Sequence, residues 1–334
     1  KHKEPTSYNA SKTFVENFGP MDYSLNIGNA HIVVMNNMIV NAKDNWTRDN
    51  QVQCVGYGKG ITNEQLEWLK QDLALVKNPE KKIIILCAHV PMFNGGQNYQ
   101  EAVKLMGQFY EGHIISGHSH IIRNYVHKQT SKNGKGVYEH NLQSLAGDWW
   151  FSNLSSDGSP RGYKVLRFSG NKLFDSVNKA VGASSNYQMR VYNGNQTYTG
   201  VEGYIYNWYK DSVGETITYK GREFLKDCFV LNLWNDDASN WSVEFTYNGK
   251  TTPMERVSST VMDAAVVSYF FNEKNKSTTS YTKAMEHFWY VQSPDGLDPS
   301  EVRGWTITAT QVIPGSGERN VYTANSLQTN YVGF

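Results

Sequence analysis

The amino-acid sequence predicts an α/β domain followed by an all-β sandwich domain, and two observations carry this prediction. A buried strand, a helix and a second buried strand succeed one another within residues 81–117, the order of a βαβ unit. After about residue 121, short alternating strands separated by turn clusters replace the helical patterns, a spacing typical of a β-sandwich. Glycine-, serine- and asparagine-containing segments near residues 180–195 predict the boundary between domains 1–185 and 186–334.

The first elements are predicted from turn signals. Residues 10–18 form a short predicted helix that Gly19-Pro20 closes. Residues 22–27 and 30–35 alternate in polarity around a Gly-Asn pair, which predicts a β-hairpin. His31 lies in the returning strand of this hairpin, where we interpret it as structural.

The α/β segment begins with a capping signal. Thr62 opens the sequence Thr-Asn-Glu-Gln, a capping box in which the Thr and Gln side chains satisfy backbone amides at a helix start. The continuous apolar run at 81–89 predicts a strand buried on both faces. A second helix is predicted at 98–110 and a second short buried strand at 113–117.

The C-terminal part is predicted to consist of short strands. Alternating runs predict them at 124–129, 162–168, 229–234, 241–247, 287–291 and 304–312. Asp236 and Asp237 lie in a turn between two of these runs. They lack the regular oxygen-ligand spacing of a calcium loop, so we interpret them as turn residues.

Composition excludes several classes of partner. The 32 basic and 31 acidic residues nearly balance, which leaves no charge footprint for nucleic acid or an anionic membrane. No apolar run approaches the ~18 residues of a transmembrane helix. The cysteines Cys54, Cys87 and Cys228 show no paired spacing, so neither a disulfide framework nor a cysteine zinc site is indicated. An aromatic content of 13% favours packed β structure or a carbohydrate-contacting surface.

Histidines stand at the ends of the two buried strands. His89 follows the first strand, and the Gly-His-Ser-His segment at 117–120 closes the second, with its glycine allowing a tight turn. Imidazole is the commonest metal-ligating side chain, and ligands bind at the carboxyl ends of strands in open α/β sheets. The pattern predicts a metal site formed by His89, His118 and His120. His113 starts the second strand and is interpreted as structural.

These histidines resemble two signature blocks of the calcineurin-like metallophosphoesterases. His89 matches the fourth block, a histidine at a strand end, and residues 117–120 match the fifth, Gly-His-Xaa-His. Residues 144–166 look like the segment after the metal core in a bacterial subfamily with an extra C-terminal β domain. Residues 230–237 and 241–245 look like that domain. The resemblance covers nearly the whole chain and implies a partial metallophosphoesterase α/β sandwich followed by the β-sandwich domain.

The resemblance implies a hydrolytic site with two divalent metals, Mn, Fe or Zn, that share a bridging hydroxide. In that family the hydroxide attacks phosphorus while the metals stabilise the equatorial and leaving oxygens. Carried over by position, His89 and His118 would bind the second metal and His120 the first. The implied partner is a small phosphorylated substrate, whose identity the sequence leaves open.

Three residues outside the histidine blocks are candidates for substrate binding. Asp148 and Trp149, next to Trp150, could line a pocket near the metals, or the tryptophans could pack at the seam between the domains. Arg161 could pair with substrate phosphate, because a guanidinium matches phosphate bidentately. It could equally be an ordinary residue of the Gly/Pro turn that contains Asp157.

Three other blocks of the family pattern are absent upstream of His89: Asp-Xaa-His, Gly-Asp-Xaa-Xaa-Asp and Gly-Asn-His-Asp/Glu. The resulting expectation is that the chain begins just after the third block and is inactive alone, with no metal or partial metal occupancy. The loss of part of a sheet exposes an edge, which predicts self-association. The resemblance also implies a periplasmic or secreted location in a bacterium.

An alternative from a different functional class stays open. The Trp- and Tyr-rich C-terminal domain could recognise a glycan or another component of the cell envelope, because aromatic faces stack on sugars in concave sites. Under this hypothesis the chain is a binding module.

Overall fold

The computed structural model describes residues 6–42, 54–147, 152–199, 205–207, 210–213, 216–219, 223–258, 261–269 and 285–328. Of the described residues, 43% lie in strands and few in helices. Contacts within the chain divide it into two compact units. The first unit contains residues 1–119, 124–141 and 168–172. The second unit contains residues 120–123, 142–167 and 173–334.

This division falls earlier in the chain than the predicted boundary at 185/186. Residues 142–167 belong to the second unit, where Leu154 is fully buried in the same core as Tyr192 and Val230. The predicted boundary segment itself contains a strand at Met189–Asn193 with mostly buried side chains. Turn-forming residues flank this strand, which is why the sequence pattern suggested a linker there.

The strands described in the first unit follow in chain order as Tyr23–Ile27 (β1), Ala30–Met35 (β2), Met38–Ala42 (β3), Cys54–Lys59 (β4), Ile83–Ala88 (β5), Glu111–Ser116 (β6), Arg123–Thr130 (β7) and Gly136–Asn141 (β8). Six of them form one sheet in the order β1-β2-β5-β6-β8-β7. Strands β2, β5, β6 and β8 run parallel, and β1 pairs antiparallel with β2. The predicted hairpin is therefore confirmed. The run predicted as a strand at 124–129 also forms, and it belongs to this sheet as its edge strand β7.

The α-helices described alongside these strands are Thr6–Phe18 (α1), Asn63–Ala74 (α2) and Tyr99–Met106 (α3). The capping box of α2 forms as predicted. Gln65 N–H donates to Thr62 Oγ1 over 3.2 Å, and Thr62 N–H donates to Gln65 Oε1 over 2.8 Å. The third helix is shorter than the predicted 98–110, because it ends at Gly107 and Phe109 then turns into the core. Among the described residues, no helix has the length and apolar character needed to cross a membrane.

A buried apolar core and a polar pair fix α2 against the sheet. Leu69 and Leu73 pack in one cluster with Ile84 and Leu86 of β5, as expected for a parallel strand that is covered by a helix. His31 is 2% exposed, and its Nε2 lies 2.8 Å from Asp72 Oδ2 on α2. The interpretation of His31 as structural agrees with this contact.

Strands β3 and β4 form a separate two-stranded antiparallel sheet in which Val40 pairs with Tyr57. The end of β4 is tied to the segment that follows β5, because Gln97 N–H donates to Lys59 O over 3.1 Å. Gly60 allows this close approach. Its φ is +151°, and a Cβ at this position would lie 2.6 Å from Gln97 Cβ.

The described residues after β8 form the strands Gly162–Ser169 (β9), Lys172–Ala180 (β10), Met189–Asn193 (β11), Thr197–Thr199 (β12), Ile205–Asn207 (β13), Lys210–Val213 (β14), Thr216–Tyr219 (β15), Cys228–Leu233 (β16), Trp241–Tyr247 (β17), Lys250–Pro253 (β18), Glu255–Arg256 (β19), Phe288–Gln292 (β20), Thr306–Val312 (β21) and Arg319–Ala324 (β22), and the short helix Ala264–Ser268 (α4). Two antiparallel four-stranded sheets have the orders β11-β16-β20-β19 and β18-β17-β21-β22. Both contribute to one hydrophobic core that includes Phe229, Phe245 and Trp289. All six predicted runs, including 124–129 in the first unit, are strands within two residues of their predicted ends.

A buried carboxylate organises a second core in this unit. Asp263 Oδ1 accepts two backbone N–H bonds at the start of α4. Its Oδ2 accepts from Tyr192 Oη over 2.8 Å and from Asn232 Nδ2 over 2.7 Å. Gly158 packs directly against this group: its φ is +85°, and a Cβ there would lie 2.2 Å from Asp263 Cγ. A side chain at position 158 would therefore overlap the Asp263 carboxylate.

Candidate active site

The carboxyl ends of the parallel strands place two of the predicted metal ligands side by side. Strands β5 and β6 are neighbours in parallel register, with Cys87 paired to Ile115. His89 directly follows β5, and His118 follows β6 after Gly117. The register continues beyond the strands, because Gly117 N–H donates to His89 O over 3.0 Å. The sheet topology thus joins two histidines that are 29 positions apart in the chain.

The turn that presents His118 is strained. Ser119 N–H donates to Gly117 O over 2.7 Å, which closes a three-residue turn with His118 at its centre. His118 has φ +65° and His120 has φ +52°, and a non-glycine residue in this region costs about 1–3 kcal/mol. The left-handed conformation at the end of β6 is therefore adopted by the two histidines and not by Gly117.

The imidazoles form a short chain of contacts with a tyrosine. His118 Nδ1 lies 3.0 Å from His89 Nε2, and the two rings meet edge to face with centroids 4.9 Å apart. On the other side of the same ring, His118 Nε2 lies 2.6 Å from Tyr57 Oη of β4. All three side chains are exposed to solvent. Both ring nitrogens of His118 are thus engaged by neighbours that are distant in sequence.

A buried amide holds the backbone just after His89. Asn37 follows β2 and is fully buried. Its Oδ1 accepts from Val90 N–H over 2.9 Å, and its Nδ2 donates to Val90 O over 2.6 Å. The same Nδ2 lies 2.9 Å from Tyr99 Oη. Burial raises the pKa of Tyr99 to about 12, and the negative charge of Glu139 acts in the same direction, so this phenol stays protonated.

A buried carboxylate joins both histidine-bearing segments. Glu139 of β8 is fully buried. Its Oε1 accepts from Met92 N–H over 2.7 Å and from Ser116 Oγ over 2.9 Å. Its Oε2 accepts from Phe93 N–H over 3.0 Å and from His127 Nε2 over 2.8 Å. One side chain therefore fixes the loop after His89, the end of β6 and strand β7.

A cleft of about 370 Å³ opens along the loop after His89. The rings of Phe93 and Tyr125 line it with centroids 5.5 Å apart, and His127 meets Tyr125 edge to face. Glu101 also lines the cleft, whereas the described lining residues include no lysine or arginine. This lining suits an uncharged ring better than a phosphate group.

His89 and His118, at the strand ends, can supply two ligands of one metal ion. Two imidazole nitrogens 3.0 Å apart are close to the separation of about 3.3 Å expected for two ligands on a tetrahedral cation with bonds of about 2.0 Å. No group of three or more His, Cys, Asp or Glu side chains suited to a metal occurs among the described residues. The described residues therefore provide two donors for one cation, fewer than a two-metal centre requires.

The other predicted site residues are less well placed. His120 falls within the second compact unit. Asp148 and Trp149 lie outside the described residues. His113 is buried among polar partners, with its Nε2 2.8 Å from Glu111 Oε1, which agrees with the structural interpretation.

Arg161 and Asp157 belong to a turn in the second unit. Arg161 N–H donates to Asn153 O over 2.8 Å, and Arg161 O accepts from Val181 N–H over 3.0 Å. Asp157 Oδ1 accepts from Ser159 Oγ over 2.7 Å, and its Oδ2 accepts from Ile122 N–H over 2.8 Å. Burial alone would raise the pKa of Asp157, but the His287 ring and these hydrogen bonds outweigh it and hold the pKa below its usual value. Asp157 is thus a buried turn carboxylate.

The tryptophans that the structure describes in the second unit lie in its core. The tryptophans described there, Trp234, Trp241, Trp289 and Trp305, are each less than 10% exposed. Of the two readings of the aromatic content, packed β structure is the one these side chains support. They offer no platform on which a sugar could stack.

Sequence reasoning missed three residues that support the candidate site. Asn37 sits at the carboxyl end of a predicted strand, a position where a polar residue could have been noticed. Glu139 is a lone carboxylate in an apolar run, and only its burial shows its role. Tyr57 has no local signal at all, since its contact with His118 depends on the pairing of β3 with β4 and on the position of Gly60.

Comparison with known proteins supports the resemblance first suggested by the histidines. A search among curated proteins gives no match. A family model described as the C terminal of calcineurin-like phosphoesterase matches residues 139–313, just over half of the 334-residue chain. The matched segment begins within β8, at Glu139, and ends just after β21, so His89 and His118 precede it. On this match, the chain belongs to the calcineurin-like phosphoesterase family.

Proposed function

We propose that the protein acts in the metal-dependent hydrolysis of a phosphate ester, with His89 and His118 as ligands of one divalent cation. One observation carries the proposal: in a chain of this family, the carboxyl ends of two parallel strands bring His89 Nε2 and His118 Nδ1 within 3.0 Å. The proposed cofactors are two divalent metals, Mn, Fe or Zn, and His120 is proposed as a ligand of the other cation.

The residues of the chain support this chemistry by position. When bound, a divalent cation supplies Lewis acidity toward a phosphoryl oxygen. Asn37 and Glu139 hold the backbone on both sides of the candidate ligands, which keeps the imidazoles in place without rearrangement. The cleft next to this segment is proposed to hold the organic part of a small phosphorylated substrate. Asp148, Trp149 and Arg161 remain proposed substrate contacts.

We further propose that this chain alone has little activity. Two cations that lie close together repel each other unless negatively charged ligands offset their charge. Only two neutral imidazoles meet at the strand ends among the described residues. We expect partial metal occupancy and weak turnover, and we assign efficient hydrolysis to the parent protein.

The test combines metal binding with turnover of a chromogenic phosphodiester in the presence of Mn²⁺ or Zn²⁺. We expect calorimetry to detect binding of a cation and any turnover to require that cation. His118→Ala should lose at least tenfold in cation affinity, whereas Lys70→Ala, on the exposed face of α2, should match the wild type. Absence of cation binding, or turnover that is unaffected by His118→Ala, would contradict the proposal.

Two further properties are proposed on weaker grounds. We propose a periplasmic or secreted location, which rests on the resemblance to exported bacterial members. We also propose self-association through β1, the edge strand of the first sheet. Its residues Tyr23, Leu25 and Ile27 are 42%, 38% and 61% exposed, and an exposed apolar edge strand is a template for pairing with another chain.

A further inference from the structure

We infer that Tyr57 is a positioning residue of the candidate metal site, where its phenol oxygen holds His118 in the Nε2–H tautomer. This inference rests on the proposed function and adds a residue that the family resemblance does not assign. It is carried by a chain of two contacts: 2.6 Å from Tyr57 Oη to His118 Nε2, and 3.0 Å from His118 Nδ1 to His89 Nε2.

The tautomer follows from the chemistry of the imidazole. A neutral imidazole carries one N–H, and the nitrogen without the proton is the one that can bind a cation. His118 Nδ1 faces His89, so it is the nitrogen that must carry a lone pair if both rings are to bind one cation. The proton then resides on Nε2, and Tyr57 Oη accepts it. A phenol can accept as well as donate, so Tyr57 can satisfy this arrangement.

Tyr57 is held in place independently of His118. Its backbone pairs with Val40 in the β3–β4 sheet. Two residues further on, Lys59 O accepts from Gln97 N–H, and Lys59 Nζ donates to Asn94 O over 3.3 Å. Strand β4, which carries Tyr57, is thus hydrogen-bonded to the loop that follows His89. The phenol and the two imidazoles are fixed relative to one another by backbone contacts of the same unit.

Hydrophobic burial does not explain why the Tyr57 side chain lies against His118. The Tyr57 side chain is 39% exposed, and its ring meets the His118 ring at 90° with centroids 5.5 Å apart. A ligating histidine usually donates its second N–H to a carboxylate, a carbonyl or water, and loss of that partner typically costs about 10- to 100-fold in metal affinity. Here the phenol takes that place, at a turn that already strains the His118 backbone.

The experiment compares Tyr57→Phe, which removes only the hydroxyl, with Tyr23→Phe, an exposed tyrosine on β1. In metal-free protein, two-bond ¹H–¹⁵N spectra report the His118 tautomer. We expect a single Nε2–H form in the wild type and in Tyr23→Phe, and a mixture of tautomers in Tyr57→Phe. Zn²⁺ affinity should fall about 10- to 100-fold in Tyr57→Phe only, with an unchanged unfolding midpoint.

The outcomes separate this inference from the proposed function. If the wild type binds Zn²⁺ and His118→Ala does not, the proposed function stands. An unchanged tautomer and an unchanged Zn²⁺ affinity in Tyr57→Phe then overturn only the role of Tyr57. If no variant binds Zn²⁺, the proposed function fails, and the metal-free spectra still decide whether Tyr57 sets the tautomer. A wild-type His118 in the Nδ1–H form overturns the inference in either case.

Discussion

Replacement of Glu139 by glutamine tests how strongly the buried carboxylate holds the candidate site together. The substitution preserves size and shape, but it turns one of the two oxygens into an NH₂ group. Each carboxylate oxygen accepts two hydrogen bonds, one of them from a backbone N–H: Met92 on Oε1 and Phe93 on Oε2. Whichever way the amide faces, one of these backbone donors loses its acceptor.

The hydrogen bonds lost or weakened in Glu139→Gln determine the expected decrease in unfolding free energy. Ser116 Oγ can rotate to accept from the new NH₂ group, and the His127 ring can exchange its tautomer, but a backbone N–H has no alternative. A buried donor without a partner costs about 1–3 kcal/mol, and the surviving bonds each lose about 1 kcal/mol of charge assistance. Two bonds survive on the remaining oxygen, so Glu139→Gln should lower the unfolding free energy by about 3–5 kcal/mol.

Urea unfolding and amide hydrogen exchange measure this change. Exchange at the Met92 and Phe93 amides should accelerate roughly a hundredfold or more, since 1.4 kcal/mol corresponds to a factor of ten. Glu67→Gln is the matched control, because the Glu67 side chain is 59% exposed on α2, and it should change stability by less than about 0.5 kcal/mol. If Glu139→Gln is as stable as this control and both amides stay protected, the carboxylate does not hold the loop.

Two other predictions concern pH and association. Burial alone would raise the pKa of Asp298, but hydrogen bonds from Ser300, Asn195 and Asn193 lower it from 3.8 to about 2. The contribution of this carboxylate to stability, reduced to about 1 kcal/mol by solvent screening of a half-buried group, is present above pH 3.8 and is lost as the pH falls through about 2. The stability gap between wild type and Asp298→Asn should close over that range, and a constant gap would refute the assignment. Light scattering should show concentration-dependent association that Ile27→Lys reduces and Leu75→Lys, at an exposed site away from the edge, does not; a monomeric wild type would contradict the edge-strand proposal.

Local signals predicted much of the fold. The hairpin, the capping box at Thr62 and the strand at 81–89 each depend on residues close together in the chain, and the structure confirms them. The run at 124–129 was predicted as a strand, but the sequence did not show which sheet it joins, because membership of a sheet depends on pairing between distant segments. Its neighbour β8 pairs with β6, which makes β7 part of the first sheet.

In the candidate site, too, contacts between distant segments could not be predicted from the sequence. The sequence identified His89 and His118 because strand-end histidines form a recognisable pattern. It did not identify Tyr57, Asn37 or Glu139, which reach the site from β4, from the end of β2 and from β8. A ligand can be predicted from its own spacing, whereas a residue that orients a ligand is defined only by which strands lie next to one another.

The close fit of Gly158 against Asp263 limits how the C-terminal domain can vary among relatives. A methyl group at position 158 would overlap a carboxylate only 2.2 Å away. A smaller residue at 263 would make room for it, but Tyr192 and Asn232 would then lose the acceptor of their buried hydrogen bonds. Positions 158 and 263 are therefore coupled, and they should change together in evolution or not at all.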